Sequence, residues 1–158
     1  MTTYYKAVRP DGSSFYEPSF KWATEPGGVT THPDADDQVR RGVIGAAGYL
    51  SVSTVPTDCT GMQWPCRLLE VEPVGPLWTP NADSLPNKRA ALAFRTVREL
   101  LAADALGPNG VYLAALIERC ARLTPGDVKR LNAAGGAAWA AASDAASDAA
   151  WDAAWDAA

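Results

Sequence analysis

Apolar and polar residues alternate along several short stretches of the chain and then switch to helical spacing. "YYKAV" (Tyr4–Val8) alternates and is rich in strand formers. "RPDGSS" follows, with Pro and Gly placed as a tight turn requires. "SFYEPSFKWA" reads as short strand pieces broken by Pro18, and residues 24–37, dense in Gly, Pro and Asp, read as a loop. "GYLSVSTV" (Gly48–Val55) is a second strand, and a short helix is expected to start at Pro56. "CRLLEVEPV" (Cys66–Val74) is the clearest strand: Leu69 and Val71 share the core side, while Leu68, Glu70 and Glu72 share the other. In "KRAALAFRTVREL" the alanines would suit a helix, but Phe94, Thr96 and Val97 favour a strand over Leu92–Arg98.

Beyond that point the period changes. "LLAADAL" predicts a short helix stopped by "GPNG". In "VYLAALIERCARL", Val111, Ala114, Ala115, Ile117 and Ala121 recur at amphipathic helical spacing. A further helix opens at "TPGDVKRLNAA", with Thr124 as N-cap, Pro125 at the first helical position and Asp127 facing the positive helix end. Gly135-Gly136 should break or bend it. Strands first and helices last predict an α+β fold: a small mixed or antiparallel sheet followed by C-terminal helices and an alanine-rich tail helix. The expected division is a domain over residues 1–130 and a helical tail over residues 131–158.

The tail itself, "AAWAAASDAASDAAWDAAWDAA", repeats every four residues. Alanine favours helix. A four-residue step overshoots a helical turn by ~40°, so the Trp/Ser stripe creeps around the axis and leaves Trp151 and Trp155 as neighbours. Asp144, Asp148, Asp152 and Asp156 stand like charge over like charge at the negative helix end, at ~0.2–1 kcal/mol per defect. One reading is a solubilising appendage. The sharper one is a docking helix that buries Trp151 and Trp155 against its own body or a second subunit.

Charge and cysteine content narrow the setting. The net charge of -4 equals that of the four tail aspartates, so residues 1–130 are neutral and nucleic acid is a poor partner. No apolar run reaches the ~20 residues of a membrane span, and the start lacks the apolar core of a signal peptide, so a cytoplasmic protein is expected. Cys59, Cys66 and Cys120 read as reduced packing thiols, and with His32 as the sole histidine no metal site is legible. There is no P-loop, GxGxxG or GxSxG.

The stretches "GYLSVSTVPTDCTGMQWPCRLLEVEPVG" and "FRTVRELLAADALGPNGVYLAALIERCARLT" resemble a family of small uncharacterised proteins of actinobacteria and their phages, which carry a "VREL…ALGP.G…ALIER" block and end in Ala-Trp-Asp repeats. The resemblance assigns no catalytic residue. It implies a setting: a phage or prophage accessory protein acting inside a bacterial host. The expected function is that of a non-catalytic cytoplasmic protein, without a cofactor, that binds a host or phage protein or associates with itself through the tail.

One chemistry competes with that reading. Arg9 after the first strand, Ser51, Ser53 and Thr54 on a middle strand, and Glu70 and Glu72 on a later strand stand in the order used by ADP-ribosyltransferases of the Arg/Ser/Glu type. An arginine can grip the NAD diphosphate bidentately. A strand serine can hold the ribose, and a glutamate can stabilise an oxocarbenium-like ribose. Arg9, Ser53, Glu70 and Glu72 are therefore the catalytic candidates of an NAD-using alternative. An interaction protein would instead use exposed anchors, for which Trp22, Trp64 and Trp78 are candidates, although core packing is the favoured role for each.

Overall fold

A six-stranded antiparallel sheet forms the first part of the chain. The computed structural model describes residues 2–45, 48–59 and 63–156, with residues 148–156 described as helix backbone. The strands are β1 (Tyr4–Val8), β2 (Val29–Thr31), β3 (Leu50–Ser53), β4 (Arg67–Pro73), β5 (Lys88–Ala91) and β6 (Ala93–Leu100), and they lie in the sheet in the order β2-β6-β4-β1-β3-β5. The helices are α1 (Ala35–Arg41), α2 (Gly110–Cys120) and α3 (Pro125–Asp156), with short 3-10 segments at Pro56–Asp58 and Ala102–Leu106. The fold is α+β. By its internal contacts the chain separates into two compact units, Met1–Ala114 and Ala115–Ala158.

β4 lies near the middle of the sheet, between β1 and β6. Its core side behaves as the alternation predicts: Leu69 and Val71 pack with Val8, Trp22, Leu50, Val52 and Phe94. The opposite side differs from expectation at one residue. Leu68, grouped by alternation with the glutamates, is fully buried against Ala7, Cys66 and Ala105. The sheet is thus covered on both faces at this point, because the two 3-10 segments pack on each other and on β1 and β4. Farther along β4 that cover ends, and Glu70 and Glu72 meet arginines instead.

Several local expectations are corrected. The region read as a loop over residues 24–37 contains β2 and the start of α1. α1 lacks an apolar stripe: Val39 is exposed, and its buried residues are Ala35 and Gln38. Gln38 fixes it by accepting from the Gly45 N–H (2.6 Å) and donating to the Gly48 carbonyl (3.0 Å). "SFYEPSFKWA" forms no named strand, only a bridge between Ser13 and Lys21. The strand expected over Leu92–Arg98 is the core of β6, while the preceding "KRAA" forms the separate strand β5 across the break at Leu92. Gly135-Gly136 does not interrupt α3, which runs unbroken over 32 residues. Two glycines at ~1 kcal/mol each do not outweigh the alanines around them.

β6 carries an irregularity. Glu70 pairs with Arg98 and Val71 with Thr96, so Val97 is an extra residue opposite β4. This bulge places both Arg98 and Arg95 on the side of Glu70 and Glu72, while Phe94 still reaches the core. The third cross-strand pair, Arg67 with Glu99, is bidentate at 3.0 and 2.6 Å.

Where α2 begins, its backbone lies directly against the Ala102–Leu106 segment. A methyl group on Gly110 would sit 1.8 Å from the Ala103 carbonyl oxygen, an impossible approach. Gly110→Ala should therefore force that junction apart and destabilise the first unit by about 1–3 kcal/mol. Gly135→Ala, where nothing lies within 4 Å, should be neutral or stabilising. Paired urea titrations check both, and equal midpoints for Gly110→Ala and wild type would refute the close contact.

Candidate functional site

The four residues proposed for NAD chemistry occupy different surroundings. The Arg9 guanidinium donates to the Ser14 and Phe15 carbonyls (3.3 and 3.4 Å) and lies over the Phe15 ring, 5.5 Å from its centroid. It secures the turn after β1 and lines a shallow pocket with Asp11 and Trp64. Ser53 and Glu70 stand in one cross-strand row, each opposite Tyr5. Yet the Ser53 hydroxyl accepts from the Val55 N–H (3.1 Å), and Glu70 accepts from Arg98 (2.7 Å). Glu72 accepts from Arg95, also at 2.7 Å. Arg9 lines one of the described pockets and Ser53 another, and neither glutamate lines either of these. Each candidate side chain is thus engaged by a structural partner of its own.

The tryptophans proposed as anchors are divided in the same way. Trp22 is a core residue, in contact with Phe94 (6.1 Å between centroids). Trp78 packs on that core beside Tyr49, and Trp64 packs on the second cluster. The side chains of Trp151 and Trp155 lie outside the described residues.

The chemically distinctive group is one that the alternation places on the core side without drawing notice: Lys6, between Tyr4 and Val8 on β1. The residue is only 8% exposed. Its Nζ donates to the Ser51 carbonyl (3.2 Å) and stands 4.8 Å from the centre of the Trp22 ring. Among the described residues no carboxylate pairs with it. Two cavities, of about 390 and 410 Å³, share Lys6, Tyr16, Ser51 and Lys88 in their walls. Asp58 and Cys59 complete one, and Glu17, Trp22 and His32 the other.

Burial pulls the Lys6 ammonium down from 10.5 to about 8, and the positive charge of Lys88 adds to the effect. Cys59 would oppose it only as a thiolate. Burial pushes that thiol up to about 12, so it remains protonated at neutral pH and gives Lys6 no counter-charge. The Cys59 Sγ–H is instead directed to the Pro56 carbonyl, at 2.8 Å. All three cysteines are free; Cys59 and Cys66 are covered as expected of packing thiols, while Cys120 is exposed. Among the described residues no cluster of His, Cys, Asp or Glu could hold a metal ion. No described helix is long and apolar enough to cross a membrane.

No family model, curated protein or solved structure matches this chain.

The buried amine has a thermodynamic signature. Its folded-state pKa lies below the unfolded value, so the unfolded chain binds the extra proton between about pH 8 and 10.5. Folding stability should therefore rise with pH across that window. Below pH 8, holding the charge inside costs about 3 kcal/mol. Lys6→Met should stabilise the protein at pH 7 and lose that advantage by pH 10, as read from chemical denaturation at both values. A variant less stable than wild type at pH 7 would show that the ammonium contributes more to folding than its burial costs.

Proposed function

We propose that the protein is a non-catalytic accessory protein of phage or prophage origin that works in a bacterial host by binding another protein, through the apolar side of α2. The observation that carries this reading is the exposure of that side. Tyr112 is 73% exposed and Leu116 42%, and Leu113 and Ile117 are exposed with them. At 100° per residue these four side chains fall within an arc of ~140°. The opposite side holds Glu118, ion-paired with Arg122 at 3.7 Å, together with Val111, while Arg119 borders the arc beside Tyr112. An amphipathic helix with a solvent-facing apolar arc suits a groove on a partner, read through anchors at i, i+1, i+4 and i+5. Trp151 and Trp155 would extend the same contact or serve self-association.

The NAD-using alternative draws its support from motif order and from the shared row of Ser53 and Glu70. It requires Arg95 and Arg98 to release their carboxylates when NAD binds.

The test is a Leu116→Asp/Ile117→Asp double variant compared with wild type in affinity capture from host lysate. Both substituted positions are exposed, so unchanged circular dichroism is expected. The proposal expects a discrete partner that wild type retains and the variant loses. The same proteins recovered with both would overturn it. Calorimetry with NAD decides the alternative: binding by wild type, together with transfer abolished in Glu72→Gln at an unchanged melting temperature, would replace the interaction reading.

A further inference from the structure

Lys6 is an unusual residue to leave inside a small sheet. A lysine at an inward strand position normally finds a carboxylate or extends its stem to water. Here the ammonium has one backbone carbonyl and an indole face, and no carboxylate among the described residues. It is not sealed in, because two cavities meet at it. Each is large enough for a small metabolite, within the usual range of ligand sites. The wall they share is formed by Lys6, Lys88, Tyr16 and Ser51. Lys88 likewise has no carboxylate partner among the described residues.

We propose that this wall is a binding site for a small carbonyl compound bearing a carboxylate, which Lys6 holds as an imine while Lys88 attracts its charge. The reaction is a condensation that needs no further reagent. The neutral Nζ of Lys6 attacks the carbonyl carbon and forms the C–N bond, the former π pair of the carbonyl takes up a proton, and the resulting carbinolamine loses water to give the imine. A lysine performs this step only when its amine is neutral, and two conditions favour that form: an apolar surrounding and a neighbouring cation. Trp22 and the core supply the first, and Lys88 the second. With an amine pKa of about 8, a substantial fraction of Lys6 is neutral at pH 7.5, where an exposed lysine is almost wholly charged. Cys59, the other nucleophile in the wall, keeps its proton and does not compete. The site is independent of the α2 surface, so either can fail without the other.

The chain has four lysines, Lys6, Lys21, Lys88 and Lys129, which makes a direct competition possible. The intact protein is incubated at pH 7.5 with limiting glyoxylate and sodium cyanoborohydride, and modification of each lysine is followed by peptide mass spectrometry. Acetaldehyde serves as the uncharged comparison. Glyoxylate should modify Lys6 at least about tenfold faster than Lys21 and Lys129, given the neutral fraction that burial confers on Lys6. Lys88→Gln should reduce the preference of Lys6 for glyoxylate over acetaldehyde while circular dichroism stays unchanged. Modification of Lys6 no faster than of Lys21 or Lys129 would overturn the proposal. An unchanged preference in Lys88→Gln would overturn the carboxylate part of it.

Discussion

β4 is the strand that the sheet is built around, because its adjacent residues Leu68 and Leu69 are both fully buried on opposite faces. Consecutive strand residues point in opposite directions, so burying both requires material on each side of the sheet. Trp22, Phe94 and the inward residues of β1 and β3 supply one side. The other is supplied by Ala7, Cys66 and Ala105, brought there by two short 3-10 segments. This two-sided cover extends only part of the way along β4. Where it stops, that face of the strand turns from Leu68 to Glu70 and Glu72, and its neighbour answers with arginine.

The parts of this architecture that hydrophobic spacing encodes were legible in the sequence. β1, β3, β4 and the C-terminal helices follow from alternation and from helical spacing and propensity. The parts held by polar contacts were not. α1 has no apolar stripe and is anchored by the buried amide of Gln38, so only its acidic first turn and basic last turn, closed by the left-handed Gly42, announced it. The division of "KRAALAFRTVREL" into β5 and β6 depends on which strands pair with each half, and that is a long-range matter. Gly135-Gly136 misled because local propensity is summed along a helix rather than decided at single positions.

The candidate site was legible in a different sense. Alternation alone places Lys6 on the same side as Tyr4 and Val8, although lysine is a residue type almost always found at the surface. The motif residues Arg9, Ser53, Glu70 and Glu72 drew attention because of their order, but each side chain is engaged locally. Arg9 braces a turn, Ser53 accepts from Val55, and the two glutamates answer arginines on β6. Order along a chain says little about convergence when strands are short and the sheet order departs from the sequence order. A charged residue in phase with core residues carries more information, because its burial must be compensated or put to use.

The extra residue at Val97 has a consequence for how this chain can change length. A strand records parity: each residue added or removed exchanges its two sides. β6 must satisfy a core residue at Phe94 and charge partners at Arg95 and Arg98, and these fall on the required sides only with one unpaired residue between them. Losing a single residue between Thr96 and Arg98 would turn either the aromatic ring or an arginine the wrong way, whereas moving the bulge along the strand keeps the count intact. Insertions and deletions compatible with this sheet should therefore come in even steps within β6, and odd ones only with a compensating slip elsewhere in the same strand.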